Sequence, residues 1–189
     1  PEEAARHLRP TSVHALCGRS DDGPSPTWTS HVSLASHPWL GDHRLDGACV
    51  MPAAAYLEMM VYAARQAMGC DGVELVDVSF PTALYIVADD AIVLQTRYDP
   101  LLRRIGIHSR ARGSDAWDLR ASARAYRFDG AAHATEISGP AHGGTALDAA
   151  AFYREAEALG YGWGRHFRCL TTIAIDQAGA FAEIRGSVP

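Results

Sequence analysis

A histidine, a glycine and a proline are spaced in this chain in a way that could support proton transfer. They lie in the segment His43-Arg-Leu-Asp-Gly-Ala-Cys-Val-Met-Pro52, which fits the pattern H-x3-G-x4-P. Histidine titrates near neutrality, so it can act as a general base without a large pKa shift. Gly47 permits a positive φ or close approach of the backbone by a ligand. Pro52 is favoured at the first position of a helix.

The same segment is predicted to supply hydrogen-bond donors as well as a base. The amino terminus of a helix presents free backbone N–H groups and the positive end of the helix dipole. A loop histidine beside such a terminus would combine a proton acceptor with a pocket of donors for a carbonyl oxygen. This pairing suits removal of a proton α to a thioester, where each preorganised donor contributes about 3–4 kcal/mol in other systems. We therefore predict that His43 is the base and that N–H groups near Gly47 and the helix start polarise the carbonyl.

The element that must position His43 is the apolar segment that follows it. After Pro52, residues 53–68 contain no glycine, proline or asparagine. The strongly polar members of this segment are Glu58, Arg65 and Gln66, and helical spacing places them on one narrow stripe. We expect a helix over residues 52–68 that is buried nearly all round and wrapped by a sheet.

Extended segments that could supply this sheet follow the helix. We predict strands at residues 73–80, 91–98, 104–110 and 118–128, with an earlier strand at 31–36 and loops at 18–30 and 37–43. The third and fourth of these strands alternate with period two, as half-exposed antiparallel strands do. One long apolar helix followed by a meander of strands is typical of a hotdog fold. The sequence thus predicts an α+β hotdog unit over residues 1–130.

A second unit is predicted to begin after a change in composition. Residues 131–147 are rich in Gly, Ala, His and Pro, without periodicity, and are interpreted as a linker. We then predict a helix over 148–159 capped by Asp148, a loop over 160–164, and a strand pair at 169–175 and 179–184. Residues 148–189 are therefore expected to be the incomplete beginning of a second hotdog, which makes the fold a truncated double hotdog.

Composition excludes several classes of partner. The chain has 189 residues and a net charge of −5, and its 17 basic residues are all arginine. The arginines are interpreted as scattered, without a basic stripe, so no nucleic-acid partner is expected. No run of 18 apolar residues is present, and we expect neither a membrane span nor a secretory signal.

The cysteines and histidines predict neither a disulfide framework nor a metal site. The four cysteines show no C-x2-C spacing, which favours free thiols in a reducing cytoplasm. Histidines that are each six positions apart, namely His31, His37 and His43, do not form one face of a helix or strand. No metal is therefore expected.

Two segments resemble a known family. The stretch from His37 to Met59, which begins His-Pro-Trp-Leu-Gly-Asp-His, is similar to the opening of the dehydratase domains of type I polyketide synthases. In that family the active-site histidine ends this motif and maps onto His43, and a Pro-Gly/Ala-Ala-x-Tyr/Phe-Leu-Glu helix follows. The segment Trp163-Gly-Arg-His-Phe-Arg-Cys-Leu170 is similar to the family's Tyr-Gly-Pro-x-Phe-x-Gly-Leu motif.

The resemblance implies loss of water from a 3-hydroxyacyl thioester, giving the 2-enoyl thioester, during polyketide chain elongation. It implies that the substrate arrives on the phosphopantetheine arm of an acyl carrier protein and that no cofactor is bound directly. Neighbouring synthase domains and a homodimer are the other implied partners. The implied substrate-binding residues are Gly47, Pro52, Trp163, Gly164 and Phe167. The side chains of Trp163 and Phe167 could line an acyl tunnel or could pack in the core.

This chain also departs from the family pattern. Trp163-Gly164-Arg165 replaces Tyr-Gly-Pro, and Cys169 replaces a glycine. The family's catalytic aspartate has no counterpart here, so we expect the acid to lie outside this chain. Asp42 and Asp46 flank the first motif and could orient the imidazole or be solvated loop carboxylates, and His166 is expected at the surface.

Three alternatives stay open. The first is a pyran-forming or double-bond-shifting domain on the same scaffold. The second is a non-catalytic structural dehydratase-like domain. The third is a thioester-hydrolysing hotdog protein, which would require a carboxylate on the central helix. Glu58 is the candidate for that carboxylate, and its position on the polar stripe indicates that it points away from the pocket.

Overall fold

The computed structural model describes residues 14–21, 23–87, 91–111, 113–130, 145–177 and 179–186. The described chain divides into two compact units, which are not continuous in sequence. Unit 1 comprises the described residues of 14–32, 53–82 and 91–128, and unit 2 comprises 33–52, 83–87 and those from 129 onward. The predicted boundary at residue 130 lies next to the division after residue 128, but residues 33–52 and 83–87, which fall within the predicted first hotdog, belong to unit 2.

The described residues form the following elements. The helices are α1 (Ala53–Met68), α2 (Ala149–Ala158) and a short 3-10 helix (Pro38–Asp42). In chain order the strands are β1 (Arg19–Ser20), β2 (Thr27–Val32), β3 (His43–Leu45), β4 (Ala48–Cys49), β5 (Val73–Ser79), β6 (Ile92–Asp99), β7 (Arg104–Arg110), β8 (Asp118–Arg127), β9 (Thr145–Leu147), β10 (Tyr161–Trp163), β11 (Leu170–Ile175) and β12 (Ala180–Ile184).

Unit 1 is a six-stranded antiparallel sheet that packs against α1. The strand order is β1-β2-β6-β7-β8-β5, and α1 contacts strands β5 to β8. Strand β6 shows why the sheet has one buried face, since its buried residues alternate with more exposed ones. The buried residues of β6 are Ile92, Leu94, Thr96 and Tyr98. Unit 1 therefore has the predicted combination of an antiparallel sheet with one long helix packed against it.

Helix α1 buries one stripe of its surface. The buried residues recur with helical spacing and are Ala55, Tyr56, Met59, Met60, Ala63 and Ala64. The predicted polar stripe, Glu58, Arg65 and Gln66, is exposed. The expectation of burial nearly all round is wrong for this helix, because Ala53 and Ala54 are also exposed and several apolar residues are only half-buried. One sheet covers one helix face, and apolar composition alone does not report how many faces are covered.

The predicted strands after α1 are confirmed to within two residues at each end. The predicted loop at 18–30 is wrong at its ends, because Arg19–Ser20 and Thr27–Val32 are strands. In β2, Trp28 and Ser30 are buried, and the Ser30 hydroxyl donates to the Leu16 carbonyl at 2.5 Å. Because Ser30 is polar but buried, the alternation of apolar and polar residues that marks a strand is interrupted in the sequence of β2. The predicted strand at 31–36 accordingly ends at Val32.

Unit 2 contains two small antiparallel sheets, with strand orders β10-β3-β4 and β12-β11-β9. Helix α2 begins as predicted, because the Asp148 carboxylate accepts hydrogen bonds from the N–H groups of Ala150 and Ala151. The predicted strand pair is confirmed as β11 and β12.

Three predicted irregular segments of unit 2 contain strand residues instead. The linker prediction falls mostly on residues 131–144, which lie outside the described residues, but Thr145–Leu147 form β9 and pair with β11. The loop predicted at 160–164 contains β10, which pairs with β3. The bent loop predicted at 37–43 contains the 3-10 helix and the first residue of β3. Each of these short strands depends on a partner distant in sequence, so its own residues show no clear period.

Within the described residues, no helix combines the length and apolar character needed to span a bilayer. All four cysteines lie in the described part of the chain and are free thiols.

Candidate active site

The predicted histidine lies at the open end of a tight hairpin in unit 2. Strands β3 and β4 are joined by Asp46 and Gly47, whose φ angles are 49° and 78°. Two consecutive residues with positive φ are what a type I′ hairpin turn requires, and Asp-Gly is a preferred sequence for it. The Arg44 guanidinium braces the turn by donating to the Gly47 carbonyl at 2.9 Å. Asp46-Gly47 is thus the sequence signal that could have predicted this hairpin.

Hydrogen bonds fix both the backbone and the ring of His43. Its N–H closes the 3-10 helix by donating to the Leu40 carbonyl, and its carbonyl accepts from Val50 N–H at 3.0 Å. The ring nitrogen Nδ1 lies 2.8 Å from the Val50 carbonyl oxygen. Because a carbonyl can only accept, Nδ1 must carry the proton, and Nε2 of the neutral ring keeps its lone pair. The half-buried imidazole is therefore held in the tautomer that a general base needs.

The second sequence motif pairs directly with the first. Strand β10 runs antiparallel to β3 and places Trp163 opposite His43. Backbone hydrogen bonds extend this pairing at both ends, from Asp46 N–H to the Gly160 carbonyl and from Gly164 N–H to the Asp42 carbonyl, each at 2.8 Å. The two motifs, distant in sequence, thus form one small sheet around His43.

Phe167 lies against the imidazole of His43. The two ring centroids are 5.0 Å apart with an interplanar angle of 53°, and the ring of Trp39 lies 6.2 Å from Phe167. A turn brings Phe167 there, since the N–H groups of Phe167 and Arg168 both donate to the Gly164 carbonyl.

The ring of Trp163 has a different environment. It packs within an aromatic cluster whose centroid distances to Trp163 are 5.5–6.3 Å and whose other members are Phe152, Tyr153 and Tyr161. Trp163 thus contributes its backbone to the pairing with His43 and its side chain to the packing of unit 2. This placement favours the packing role over a tunnel lining for Trp163.

A hydrogen-bonded pair of a carboxylate and an imidazole, which the sequence did not predict, lies beside these residues. The Asp42 carboxylate accepts from Nδ1 of His166 at 2.6 Å and from His166 N–H at 3.2 Å. Desolvation acts to raise the pKa of Asp42, but the hydrogen bonds and charge of His166, together with the charge of Arg165, bring the pKa below its usual value. His166 is exposed, as predicted, but its ring and its backbone N–H also bind Asp42, and no local sequence pattern marks this pair.

The structure places Gly47 and Pro52 but does not test their contacts with substrate, which stay predictions. Gly47 is exposed at the hairpin tip, and a Cβ added to it would meet no atom within 4 Å. Turn geometry is therefore a sufficient reason for a glycine at this position. Pro52 is buried and precedes α1, directly after residues 49–51, which pair with 84–86.

Among the described residues, neither a metal cluster nor a buried carboxylate on α1 is found. No group of three or more His, Cys, Asp or Glu side chains among them is arranged to hold a metal ion. The Glu58 carboxylate, which a hydrolase would require in its pocket, has 66% of its side chain exposed and lies 3.4 Å from His14.

Comparisons of this chain with known proteins agree on one family. The model of the polyketide synthase dehydratase domain matches residues 14–110. Polyketide synthase GfsA from Streptomyces halstedii is 29% identical over 186 residues, which cover 92% of this chain and 2% of that protein. This chain therefore spans only a small part of the length of that curated relative.

Solved dehydratase structures are similar over nearly the whole chain. A structure from work on dehydratase substrate selection for the borrelidin and fluvirucin polyketide synthases matches with a TM-score of 0.78 and 29% identity, covering 96% of this chain and 68% of that one. The dehydratase domain from the CurK module of the curacin polyketide synthase matches with a TM-score of 0.78 and 20% identity, covering 90% of this chain and 63% of that one. The fold is thus a double hotdog of which this chain spans about two thirds.

Proposed function

Because this chain belongs to the polyketide synthase dehydratase domain family, we propose that it supplies the catalytic base for removal of water from a 3-hydroxyacyl thioester. The observation that carries the proposal is the hydrogen bond from His43 Nδ1 to the Val50 carbonyl, at 2.8 Å. This bond directs the basic Nε2 lone pair away from the backbone, where a substrate proton can reach it.

The proposed reaction balances as a β-elimination. His43 Nε2 takes the C2 proton, the C2–H electron pair forms the C2–C3 double bond, and the C3–O bond breaks. The departing hydroxyl takes a proton from an acid and leaves as water, which gives the 2-enoyl thioester. We propose that this acid is an aspartate outside the present chain. Backbone N–H groups near Gly47 are proposed to polarise the thioester carbonyl.

The proposed substrate is delivered by an acyl carrier protein on its phosphopantetheine arm, within a cytoplasmic multidomain synthase. The relatives named above support this setting, since each is a polyketide synthase or one of its dehydratase domains. Among the residues proposed to bind substrate, Phe167 has the strongest support because its ring contacts the His43 imidazole. Gly164 is proposed to act by starting the turn that positions Phe167, since its carbonyl accepts from the N–H groups of Phe167 and Arg168. No directly bound cofactor or metal is proposed.

The test is the His43→Ala variant, made in the dehydratase domain that contains this sequence and assayed with a 3-hydroxyacyl-pantetheine thioester. We expect enoyl formation to fall by about 10²–10⁴-fold, the usual contribution of general-base catalysis. His31→Ala is the matched control, because His31 is an exposed histidine of unit 1, and it should keep wild-type activity. Product analysis by mass spectrometry and NMR checks both variants.

Other products would select among the alternatives. Release of free acid would favour thioester hydrolysis, and a cyclised or double-bond-shifted product would favour the related enzymes on this scaffold. A folded wild-type domain that leaves the substrate unchanged would support the structural role. Full activity of His43→Ala would contradict the assignment of the base.

A further inference from the structure

We infer that Asp42 and His166 form a positioning pair that holds the Phe167 ring against the His43 imidazole. The inference rests on the proposed function, in which His43 is the base. In this inference Asp42 and His166, which lie outside the H-x3-G-x4-P motif, help to set the direction of His43 Nε2.

Three hydrogen bonds join Asp42 to the segment that carries His166. The carboxylate accepts from His166 Nδ1 at 2.6 Å and from the His166 backbone N–H at 3.2 Å. The Asp42 carbonyl accepts from Gly164 N–H at 2.8 Å. Side chain and backbone of one residue thus fix two points of the 164–168 turn.

Register connects this pair to the imidazole. Asp42 directly precedes His43, and His166 directly precedes Phe167. The contact between Asp42 and His166 therefore brings the residue after each of them together, and the centroids of the His43 and Phe167 rings lie 5.0 Å apart. Nδ1 of the imidazole is hydrogen-bonded to the Val50 carbonyl, and the ring contacts Phe167. The hydrogen bond and the ring contact together restrain the direction of Nε2.

The packing around Asp42 gives the pair its geometric specificity. An exposed ion pair by itself contributes little stability, and the Asp42 and His166 side chains are 30% and 36% exposed. However, a Cβ on Gly164 would lie 2.3 Å from Asp42 Cγ, so the carboxylate packs directly on a residue that must lack a side chain. The lowered pKa of Asp42 is consistent with a carboxylate that is ionised at neutral pH and accepts both bonds.

A mutant cycle tests the inference in the dehydratase domain that contains this sequence. We expect Asp42→Ala and His166→Ala each to lower kcat by about tenfold, because a displaced catalytic group reacts more slowly. KM should stay within about twofold, since neither side chain is assigned a substrate contact. The double variant should resemble the single variants, because each single change already breaks the pair.

Conservative and control variants separate positioning from general structure. The amide nitrogen of asparagine can replace histidine Nδ1 as a donor, so His166→Asn should recover most of the lost kcat. Arg154→Ala removes a surface ion pair of unit 2 with Asp148, at 4.0 Å, and should behave as wild type. Unchanged kcat in both alanine variants, additive losses in the double variant, or His166→Asn as slow as His166→Ala would each overturn the inference.

A readout without substrate distinguishes failure of the inference from failure of the proposed function. The ring-current shift that Phe167 imposes on the ¹H signals of the His43 ring should be present in the wild type and largely lost in Asp42→Ala. If the wild type forms no enoyl product but this spectral change occurs, the positioning pair stands and the proposed function fails. If the wild type is active and Asp42→Ala changes neither the spectrum nor kcat, the positioning pair fails alone.

Discussion

Unit 1 and unit 2 reach their structures by different means. The strands β5 to β8 of unit 1 have seven to ten residues, and α1 supplies a continuous buried stripe against them. The strands of unit 2 have two to six residues, and the sheet that carries His43 joins segments distant in sequence. Unit 1 is organised by periodic burial, whereas the site in unit 2 is organised by individual hydrogen bonds and close contacts.

The difference separates the largest buried side chains from the candidate catalytic residues. Large buried side chains, which contribute most to the free energy of folding, are concentrated in unit 1, where Met59, Met60, Leu94, Ile105 and Ile107 are 0% exposed. The candidate catalytic residues are in the unit with the shorter strands, where a half-buried imidazole can meet a substrate. Substitutions in the two units should therefore have separable effects.

The largest expected effect is on the stability of unit 1. Met59→Ala removes a fully buried side chain from α1 and should lower the free energy of unfolding by about 2–5 kcal/mol. Met68→Ala, at the half-buried end of the same helix, is the control and should cost clearly less. Chemical denaturation followed by circular dichroism measures both. Equal losses in the two variants would contradict the view that periodic burial stabilises this unit.

A second comparison concerns the reactivity of the free thiols in the two units. Burial raises the pKa of Cys17 in unit 1 to about 12. A raised pKa keeps a thiol protonated until high pH, so Cys17 should be unreactive at pH values near 8. We expect the half-buried Cys169 of unit 2 to react with maleimide at least about a hundredfold faster.

Mass spectrometry of a labelling time course measures these rates, and the denatured protein provides the reference in which both thiols are accessible. Labelling of Cys17 as fast as Cys169 in the folded protein would show that unit 1 is open enough for its core to exchange with solvent.

The smallest expected effect is a loss of activity with little loss of stability, caused by a single methyl group in unit 2. Gly164→Ala would place Cβ 2.3 Å from Asp42 Cγ and force the carboxylate away from His166. We expect about a tenfold lower kcat. Gly41→Ala is the matched control, because a Cβ there would meet nothing within 4 Å. If the two variants have equal kcat and equal unfolding temperature, close packing at Gly164 does not matter for the site.

Sequence reasoning predicted the regular part of the fold, but not the contacts around His43, the residue proposed as the base. The α1 segment and strands β5 to β8 were predictable because each carries its own hydrophobic period. The pairing of β3 with β10 was not, since strands of three residues show no period and their partner lies far along the chain. The Asp42–His166 pair depends on this pairing and was missed with it. Asp46-Gly47 is the exception, since its turn could have been predicted locally.

The sequence by itself determined the family, the long helix with its sheet, and the histidine proposed as the base. These features follow from local periodicity and from motifs whose residues are close together in the chain. Tertiary structure alone decided which tautomer His43 adopts, which ring lies against it, and which carboxylate fixes the neighbouring turn. Those properties depend on distances of 2.6–5.0 Å between atoms that only folding brings together.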